Sequence, residues 1–446
     1  MEKQLNNNML SAYNPWWGSN YSSINKSKFP AYYNKFYKFS NLKSKGKFII
    51  INTDYNECSV KQILYKYVNS RKSRENIVYI PFENLGYSDV ISIFNEIQKS
   101  PAKLDIFVSG IDPYLKFSLD KGKSLFNIIN NSKSIRRLFI STRFLPNSAS
   151  NRHLSKLAGG ANHYTINPLT FKEYLTIFGK RNMKNYLATL PIIAKSDSEY
   201  IEKVYSQACK IKDSGYEHLF KEMFYSYSKS GGFISSITEY NNKGNLYDSI
   251  YNYKLSLMRE FESLKISNYD MEKILSAITN SCGSIYTLDS MKQDTGISKE
   301  SILYYYRLLT DLGIIKSVLK FDIKEHKKTK LLRKTYLTDP ITYIAFSNSY
   351  NNYSKTEIQI QGPIIENIVG IELTRKFGQV YTLKEGVEVD FFLPTLNLGI
   401  EVKSGRSNYN SYHMKFPKNR VVFNSDKLKK ENGLFEIPYY LFLALI

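Results

Sequence analysis

The stretch from Gly386 to Gly405, GVEVDFFLPTLNLGIEVKSG, decides the fold of the C-terminal part of the chain. Val387, Glu388, Val389 and Asp390 alternate apolar and acidic at period two, as in a strand with one dry and one polar face. Pro394-Thr395-Leu396-Asn397 supplies a turn and a second apolar run begins at Leu398, so a β-hairpin is predicted. The alternation sets Glu388 and Asp390 on one face of the first strand. It sets Glu401 and Lys403 to one side of the second, with Val402 directed into the core. Acids and an ammonium then converge. That set suits phosphodiester hydrolysis with Mg²⁺ or Mn²⁺, because hard cations take oxygen ligands and need few from the protein. A lysine beside the attacking water can orient it or offset charge in the transition state.

The hairpin resembles the core of the PD-(D/E)xK nuclease superfamily, with Asp390 at the first acidic position and Glu401-Val402-Lys403 as the ExK element. The resemblance implies a further acid on a preceding helix. Glu366 in QGPIIENIVGIELTRKFG fits, beside an apolar stripe of Ile364, Ile365, Ile368, Val369 and Leu373. It also implies that Asp390 and Glu401 hold the metal, that Lys403 serves the attacking water and that Glu366 completes the set. The competing reading is a solvated strand face, since E-V-K tripeptides are common.

A chain of 446 residues, 42% hydrophobic, is too long for one ordinary core and is expected to hold about two to four domains. Its 62 Lys and Arg against 40 Asp and Glu, a formal net charge of +22, point to a polyanionic partner, DNA first. Solubility or attraction to a membrane surface are the other uses of such a charge. Cys58, Cys209 and Cys282 form no CxxC pair, which argues against a disulfide framework or a zinc site. No apolar run is long enough to span a bilayer. Ile437 to Ile446, IPYYLFLALI, reads as a buried terminal strand or helix. MEKQLNNNML carries no signal-peptide pattern, and a cytoplasmic protein is expected.

From Lys47 onward, β-branched runs alternate with helical stretches: Phe48 to Asn52, Ile77 to Pro81, Leu104 to Ser109, Arg137 to Thr142 and His163 to Asn167. That rhythm predicts a parallel, doubly wound α/β sheet. Before it lies Asn14-Pro15-Trp16-Trp17, whose two rings must pack on something, so residues 1–45 are read as a strap across the next domain.

A second resemblance covers almost the whole chain. The NPWW, the five-strand unit, NPLTFKEYL (Asn167 to Leu175), SGGF (Ser230 to Phe233), KTYLTDP (Lys334 to Pro340) and the EVDF hairpin look like an archaeal AAA-type ATPase family. Members have a P-loop domain, a helical lid, a winged helix and a nuclease-like C-terminal domain. The expected architecture is therefore multidomain α/β: a degenerate AAA-type domain with a parallel P-loop-like sheet (46–170), a helical lid (171–265), a winged helix (266–335) and a PD-(D/E)xK-like domain (336–446).

The nucleotide site is where this chain departs. A phosphate cradle needs glycines and a following lysine, yet Asn52 to Leu64 reads NTDYNECSVKQIL, with Cys58-Ser59-Val60 in the Gly-Lys-Thr position, Lys61 two residues late, and Asp54 and Glu57 repelling a triphosphate. The strand that should end in Asp-Glu ends in Ser109-Gly110, with Asp112 beyond it. ATP is not expected as a cofactor, and the domain is read as a scaffold.

Tyr269 to Phe321 reads as three helices and a strand (Ile314 to Phe321), a winged helix. Ser298 caps the third helix, Ile302, Tyr306 and Leu309 face inward, and Tyr304, Tyr305 and Arg307 are left for solvent or phosphate. Lys316, Lys320, Lys324, Lys327, Lys328, Lys330, Arg333 and Lys334 then form a basic run read as a DNA contact, with a solvated face as the alternative. SGGF is read as a hinge or cap. The five histidines make no ligand-spaced pair, though His413, Arg406, Tyr412 and Lys415 follow the hairpin closely enough to touch a phosphate. Together these point to a DNA-binding, Mg²⁺- or Mn²⁺-dependent deoxyribonuclease that needs no ATP. A non-catalytic DNA-binding or assembly protein and a divergent ATPase using Lys61 stand as alternatives. A homo-oligomer or a protein partner is left open.

Overall fold

The computed structural model describes residues 8–17, 47–52, 57–71, 73–112, 119–322, 327–347, 362–385, 387–403, 417 and 419–446. They fall into two compact units, one within Met1–Asn167, Leu255–Ile266 and Asp311–Gly313, the other within Pro168–Lys254, Ser267–Thr310 and Ile314–Ile446. The architecture is multidomain α/β. The second unit spans residues assigned above to the lid, the winged helix and the C-terminal domain.

The first unit is built on β1 (Phe48–Asn52), β2 (Ile77–Pro81), β3 (Leu104–Ser109), β4 (Ile135–Thr142) and β5 (Asn162–Thr165), in the order β2-β3-β4-β1-β5. All four ladders are parallel. Strands covered on both faces read as continuous apolar runs rather than alternating ones, which is why β1, β2 and β3 are buried at every position. Their bounds are those expected from the sequence; β4 and β5 each begin earlier.

The NPWW segment explains itself at the sheet edge. β2 is an edge strand, with unpaired backbone groups that invite association. Asn14 meets them with its amide: Nδ2 donates to the Tyr79 carbonyl at 3.0 Å, and Oδ1 accepts from the Tyr79 N–H at 2.6 Å. Both indole N–H groups, of Trp16 and Trp17, donate to the Ile77 carbonyl at 2.9 Å. Within the expected strap, the described Asn14, Trp16 and Trp17 thus stand in by side chain for a neighbouring strand.

In the second unit, helices Asn268–Asn280, Leu288–Thr295 and Lys299–Asp311 precede an antiparallel hairpin of β6 (Ile315–Asp322) and β7 (Lys327–Leu337). An isolated bridge joins Ile285 to Lys334. Ser298 caps the third helix through the Ser301 N–H, as expected. Ile302, Tyr306 and Leu309 are buried and Tyr304 and Arg307 exposed, but Tyr305 is also buried, with its hydroxyl on Asp270. It falls at i+3 from Ile302, inside a stripe wider than the three residues read from the sequence.

The hairpin is not an isolated wing but part of a larger sheet. β6 pairs in parallel with β8 (Tyr381–Glu385), and the sheet continues through β9 (Val387–Leu393), β10 (Leu398–Val402), β11 (Asn419–Asn424), β13 (Leu434–Pro438) and β12 (Lys429–Glu431). The order is β12-β13-β11-β10-β9-β8-β6-β7, a mixed eight-stranded sheet. The part of the basic run that follows the strand, from Lys327 to Lys334, is thus itself on β7, an edge strand of this sheet. The β9–β10 turn is the expected Pro394–Leu396 segment, closed by Asn397 in the left-handed region at φ 46°. Val402 is only half-buried, whereas Glu401 is 9% exposed, so the expected inward and outward assignments on β10 are reversed there. The C-terminal helix Tyr439–Leu445 is buried at every position.

Three separated motifs meet in this unit. In NPLTFKEYL, Thr170 and Glu173 form a capping box on helix Phe171–Phe178. The Leu169 N–H donates to the Gly232 carbonyl at 2.9 Å, and the Tyr227 hydroxyl donates to the Leu169 carbonyl at 2.9 Å and to Glu372 at 3.1 Å. Asp339 of KTYLTDP accepts from the Gly232 N–H at 2.8 Å and, as the N-cap of helix Pro340–Phe346, from the Ile341 N–H at 2.9 Å. SGGF is neither hinge nor simple cap. Gly231 sits at φ +69°, and a Cβ at Gly232 would fall 2.3 Å from the Leu169 carbonyl oxygen, so both positions need glycine.

Asp339→Ala strands the buried Gly232 N–H and removes a cap, and is expected to cost about 2–4 kcal/mol in urea unfolding. Burial pushes Asp339 up to about 6 and Glu372 up to about 7, and in the first unit burial followed by the charge of Glu260 pushes Asp112 up to about 7. Each folded-state pKa lies above its unfolded value, so the resulting stabilisation is complete below about pH 4 and is lost as pH rises through about 6 to 7. The thermal midpoint should therefore fall between about pH 5 and about pH 8. Glu372→Gln, which keeps a carbonyl acceptor for Tyr227, should flatten that fall.

Candidate functional site

Glu366 comes from helix Gly362–Phe377, Asp390 from β9, Glu401 from the end of β10 with Lys403 just beyond it, and Lys334 and Tyr336 from β7. The β9–β10 ladder pairs Leu398 with Leu393, Gly399 with Phe392 and Ile400 with Phe391, so the next facing positions are Asp390 and Glu401. There the ladder gives way to a side chain: Asp390 Oδ2 accepts from the Val402 N–H at 2.9 Å. β10 turns to its other neighbour, the Lys403 N–H donating to the Phe423 carbonyl at 2.8 Å.

The other Asp390 oxygen takes a lysine. Lys334 is 1% exposed, and its Nζ donates to Asp390 Oδ1 at 2.9 Å and to Glu366 Oε1 at 3.2 Å. The Tyr336 hydroxyl donates to the same Glu366 oxygen at 2.8 Å. Gly283, at φ +81°, closes over Glu366, since a Cβ there would lie 2.7 Å from Oε2. Burial, then the charge of Asp390, pushes Glu366 up to about 7, while Lys334 and Tyr336 pull the other way. Glu401 pairs with Lys403 at 2.5 Å, and Lys403 is the more exposed partner, its side chain 37% accessible.

The four residues expected to form the site thus lie on three adjoining elements, with Asp390 and Glu401 facing across two strands. Lys334 departs from the expectation. Read from the sequence as one of eight DNA-contacting basic residues, it is buried between two carboxylates, where a phosphate cannot reach it. Lys316 is exposed, Lys320 is half-buried, and the half-buried Arg333 places its guanidinium 4.5 Å over the Tyr306 ring. Lys327, Lys328 and Lys330 lie on β7, described in backbone alone, and Lys324 lies outside the described residues, as do Arg406, Tyr412, His413 and Lys415. Tyr336 was missed by the sequence reading. Its signal was the alternation Lys334, Tyr336 leading into Thr338-Asp339-Pro340, which sets both side chains on one strand face.

Among the described residues, no three or more His, Cys, Asp or Glu side chains gather closely enough to hold a metal. The donor set still fits a cation of the Mg²⁺ type, which binds through one or two carboxylates and keeps several waters, and the facing Asp390 and Glu401 offer that number. It does not fit zinc or another soft cation: Cys282, buried near Glu366, has its Sγ on Asn367 Oδ1 at 3.3 Å, and no histidine stands with the carboxylates among the described residues.

At the carboxyl ends of the first unit's sheet, where such folds bind ligands, Asp112 is 3% exposed. It accepts from the Thr142 hydroxyl and from the Arg143 N–H at 3.1 Å. Arg143 pairs with Glu260 at 3.1 Å. Cys58, Ser59, Val60 and Lys61 lie in helix Glu57–Asn69, described in backbone alone, and Asp54 lies outside the described residues. Among the described residues, no helix is long and apolar enough to cross a membrane.

No family model matches the chain, and no curated protein matches it. Among solved structures it is similar to a Walker-type ATPase of Pyrococcus abyssi, at 10% identity and a TM-score of 0.41, covering 73% of this chain and 98% of the other. The Aeropyrum pernix ORC2 protein, in ADPNP and ADP complexes, matches at 11% identity and TM-score 0.35 over 75% of this chain and 96% of its own. The Aeropyrum pernix ORC1 protein in complex with DNA matches at 12% identity and TM-score 0.30, over 70% and 89%. All three TM-scores lie below 0.5, and the functional reading rests on this chain's own residues.

The contrast between lysines is measurable in unfolding experiments. Lys334→Ala leaves two carboxylates, 17% and 16% exposed, without their counter-ion and should cost about 3 kcal/mol. Lys316→Ala, at an exposed position, should stay within about 0.5 kcal/mol.

Proposed function

We propose that the chain is a DNA-binding protein whose second unit carries a PD-(D/E)xK-like, metal-dependent nuclease site, and that it acts without ATP. The observation that carries this reading is the β9–β10 register, which ends at Ile400 and Phe391 and so makes Asp390 and Glu401 the next facing positions, with Lys403 two residues on and Glu366 brought in by a helix. In this reading Asp390 and Glu401 would hold Mg²⁺ or Mn²⁺. Bound there, the cation would supply a Lewis acid for the phosphate and lower the pKa of a water.

The chain's own residues do the rest. Lys403, the more exposed member of its pair, swings from Glu401 to orient water beside the phosphate and to offset developing charge. Asp390 is fixed by two hydrogen bonds, one to each oxygen, so its carboxylate is pre-set. Lys316, Lys320 and Arg333, with the +22 net charge behind them, hold the DNA backbone without reading sequence. The AAA-type part serves as scaffold, its Asp112 carboxyl occupied by Thr142 and Arg143.

One observation favours a second reading, a non-catalytic DNA-binding or assembly protein: each strand carboxylate is already neutralised, Asp390 by Lys334 and Glu401 by Lys403.

Incubation of the protein with single-stranded, duplex and branched DNA separates the two. With Mg²⁺ or Mn²⁺ and no ATP, cleavage is expected. Glu401→Gln and Lys403→Ala should each slow it by about 10²–10³-fold while leaving DNA affinity within about twofold. Binding without cleavage in every metal, or cleavage unaltered in both variants, overturns the nuclease reading.

A further inference from the structure

Lys334 belongs to the second strand of the winged-helix hairpin, yet its ammonium lies in the acidic site of the sheet that the hairpin extends. We infer that Lys334 is a resident cation of this site: it takes the position between Glu366 and Asp390 and so confines divalent metal to the Asp390–Glu401 side. The inference rests on the proposed metal site and adds which carboxylates the metal is denied.

The geometry is that of a built position rather than a chance pair. The Nζ group is within hydrogen-bond distance of both carboxylates, at 2.9 and 3.2 Å, in a side chain 1% exposed. Three features hold it there. β7 is fixed by its ladder to β6, where Val318 faces Lys334, and by the bridge from Ile285. The Tyr336 hydroxyl, two residues along the same strand, holds Glu366 Oε1 from a second direction. Gly283 walls off Glu366 Oε2.

An ammonium with two acid partners differs from a divalent ion in charge and in needing no oxygen shell, so it neutralises Glu366 and Asp390 without opening the buried pocket to water. It also repels any second cation brought beside it. Asp390 Oδ1 is then engaged by lysine and Oδ2 by the Val402 N–H, which leaves remaining lone pairs on those oxygens, with Glu401, as the metal's approach. Lys334 is thus a positioning residue supplied by the winged helix to the nuclease-like site. The two parts share one functional position.

The test is a Mn²⁺ titration of the full-length protein without DNA, followed by the electron paramagnetic resonance signal of free Mn²⁺. Four forms are compared: wild type, Glu401→Gln, Lys334→Met, and Lys334→Met combined with Glu366→Gln. The double variant removes the ammonium and one carboxylate together, which guards against unfolding caused by an uncompensated buried charge. Wild type is expected to bind one Mn²⁺ that Glu401→Gln abolishes. Removing the ammonium alone, in Lys334→Met, should tighten Mn²⁺ binding by about tenfold or more or add a second ion; in the double variant the lost carboxylate offsets the lost charge, and Asp390 freed of its lysine should tighten binding to a smaller extent. Wild-type binding that Glu401→Gln abolishes, with unchanged or weaker binding in the Lys334 variants, overturns the role of Lys334 and leaves the metal site standing. Mn²⁺ binding only after Lys334 is removed supports Lys334 as the resident cation and overturns the wild-type metal site. No binding in any form overturns both.

Discussion

One buried ammonium organises the chemistry of the second unit. Burying Glu366 and Asp390 close together is unfavourable, because each carboxylate loses water and feels the other's charge. Lys334 offsets both terms at once, and Tyr336 and the Val402 N–H satisfy further lone pairs. Without that cation the helix Gly362–Phe377 could not bring an acid onto the strand pair β9–β10. The site's geometry therefore depends on β7, a strand that follows the helices Asn268–Asn280, Leu288–Thr295 and Lys299–Asp311 in chain order and belongs to the large sheet by hydrogen bonding.

The same economy recurs elsewhere. Buried polar groups in this protein are satisfied by motifs distant in sequence: Asn14 completes the edge of β2, Asp339 holds the backbone of Gly232, and Glu372 accepts from Phe171 and Tyr227. Each contact leaves a costly orphan if broken, so these motifs specify the fold more sharply than the apolar residues around them. The carboxyls involved are those whose ionisation burial opposes, which ties the packing of the helical segments to pH.

Much of this was legible in the sequence because it is periodic. Phe48–Asn52, Ile77–Pro81 and Leu104–Ser109 are short β-branched runs between helical patterns, and their strands have those bounds. The hairpin Val387–Val402 could be read because alternation and a Pro-to-Asn turn agree. What could not be read was partnership across distance. Lys334 sits in a run of basic residues, and nothing local distinguishes it from Lys316; only the sheet order brings it to Glu366 and Asp390. Tyr305 was lost to the width of a helical stripe, and Val402 to strict alternation on a strand with Glu401 buried at its end. The convergence of NPLTFKEYL, SGGF and KTYLTDP was equally hidden, since no periodicity links segments so far apart.

The measurement that bears most directly on this account is an anomalous difference map from crystals of the protein soaked in Mn²⁺. The account predicts a single peak between Asp390 and Glu401, with the Lys334 ammonium still seated on Glu366. A peak between Glu366 and Asp390 with Lys334 displaced, or no peak near these carboxylates at all, would contradict it.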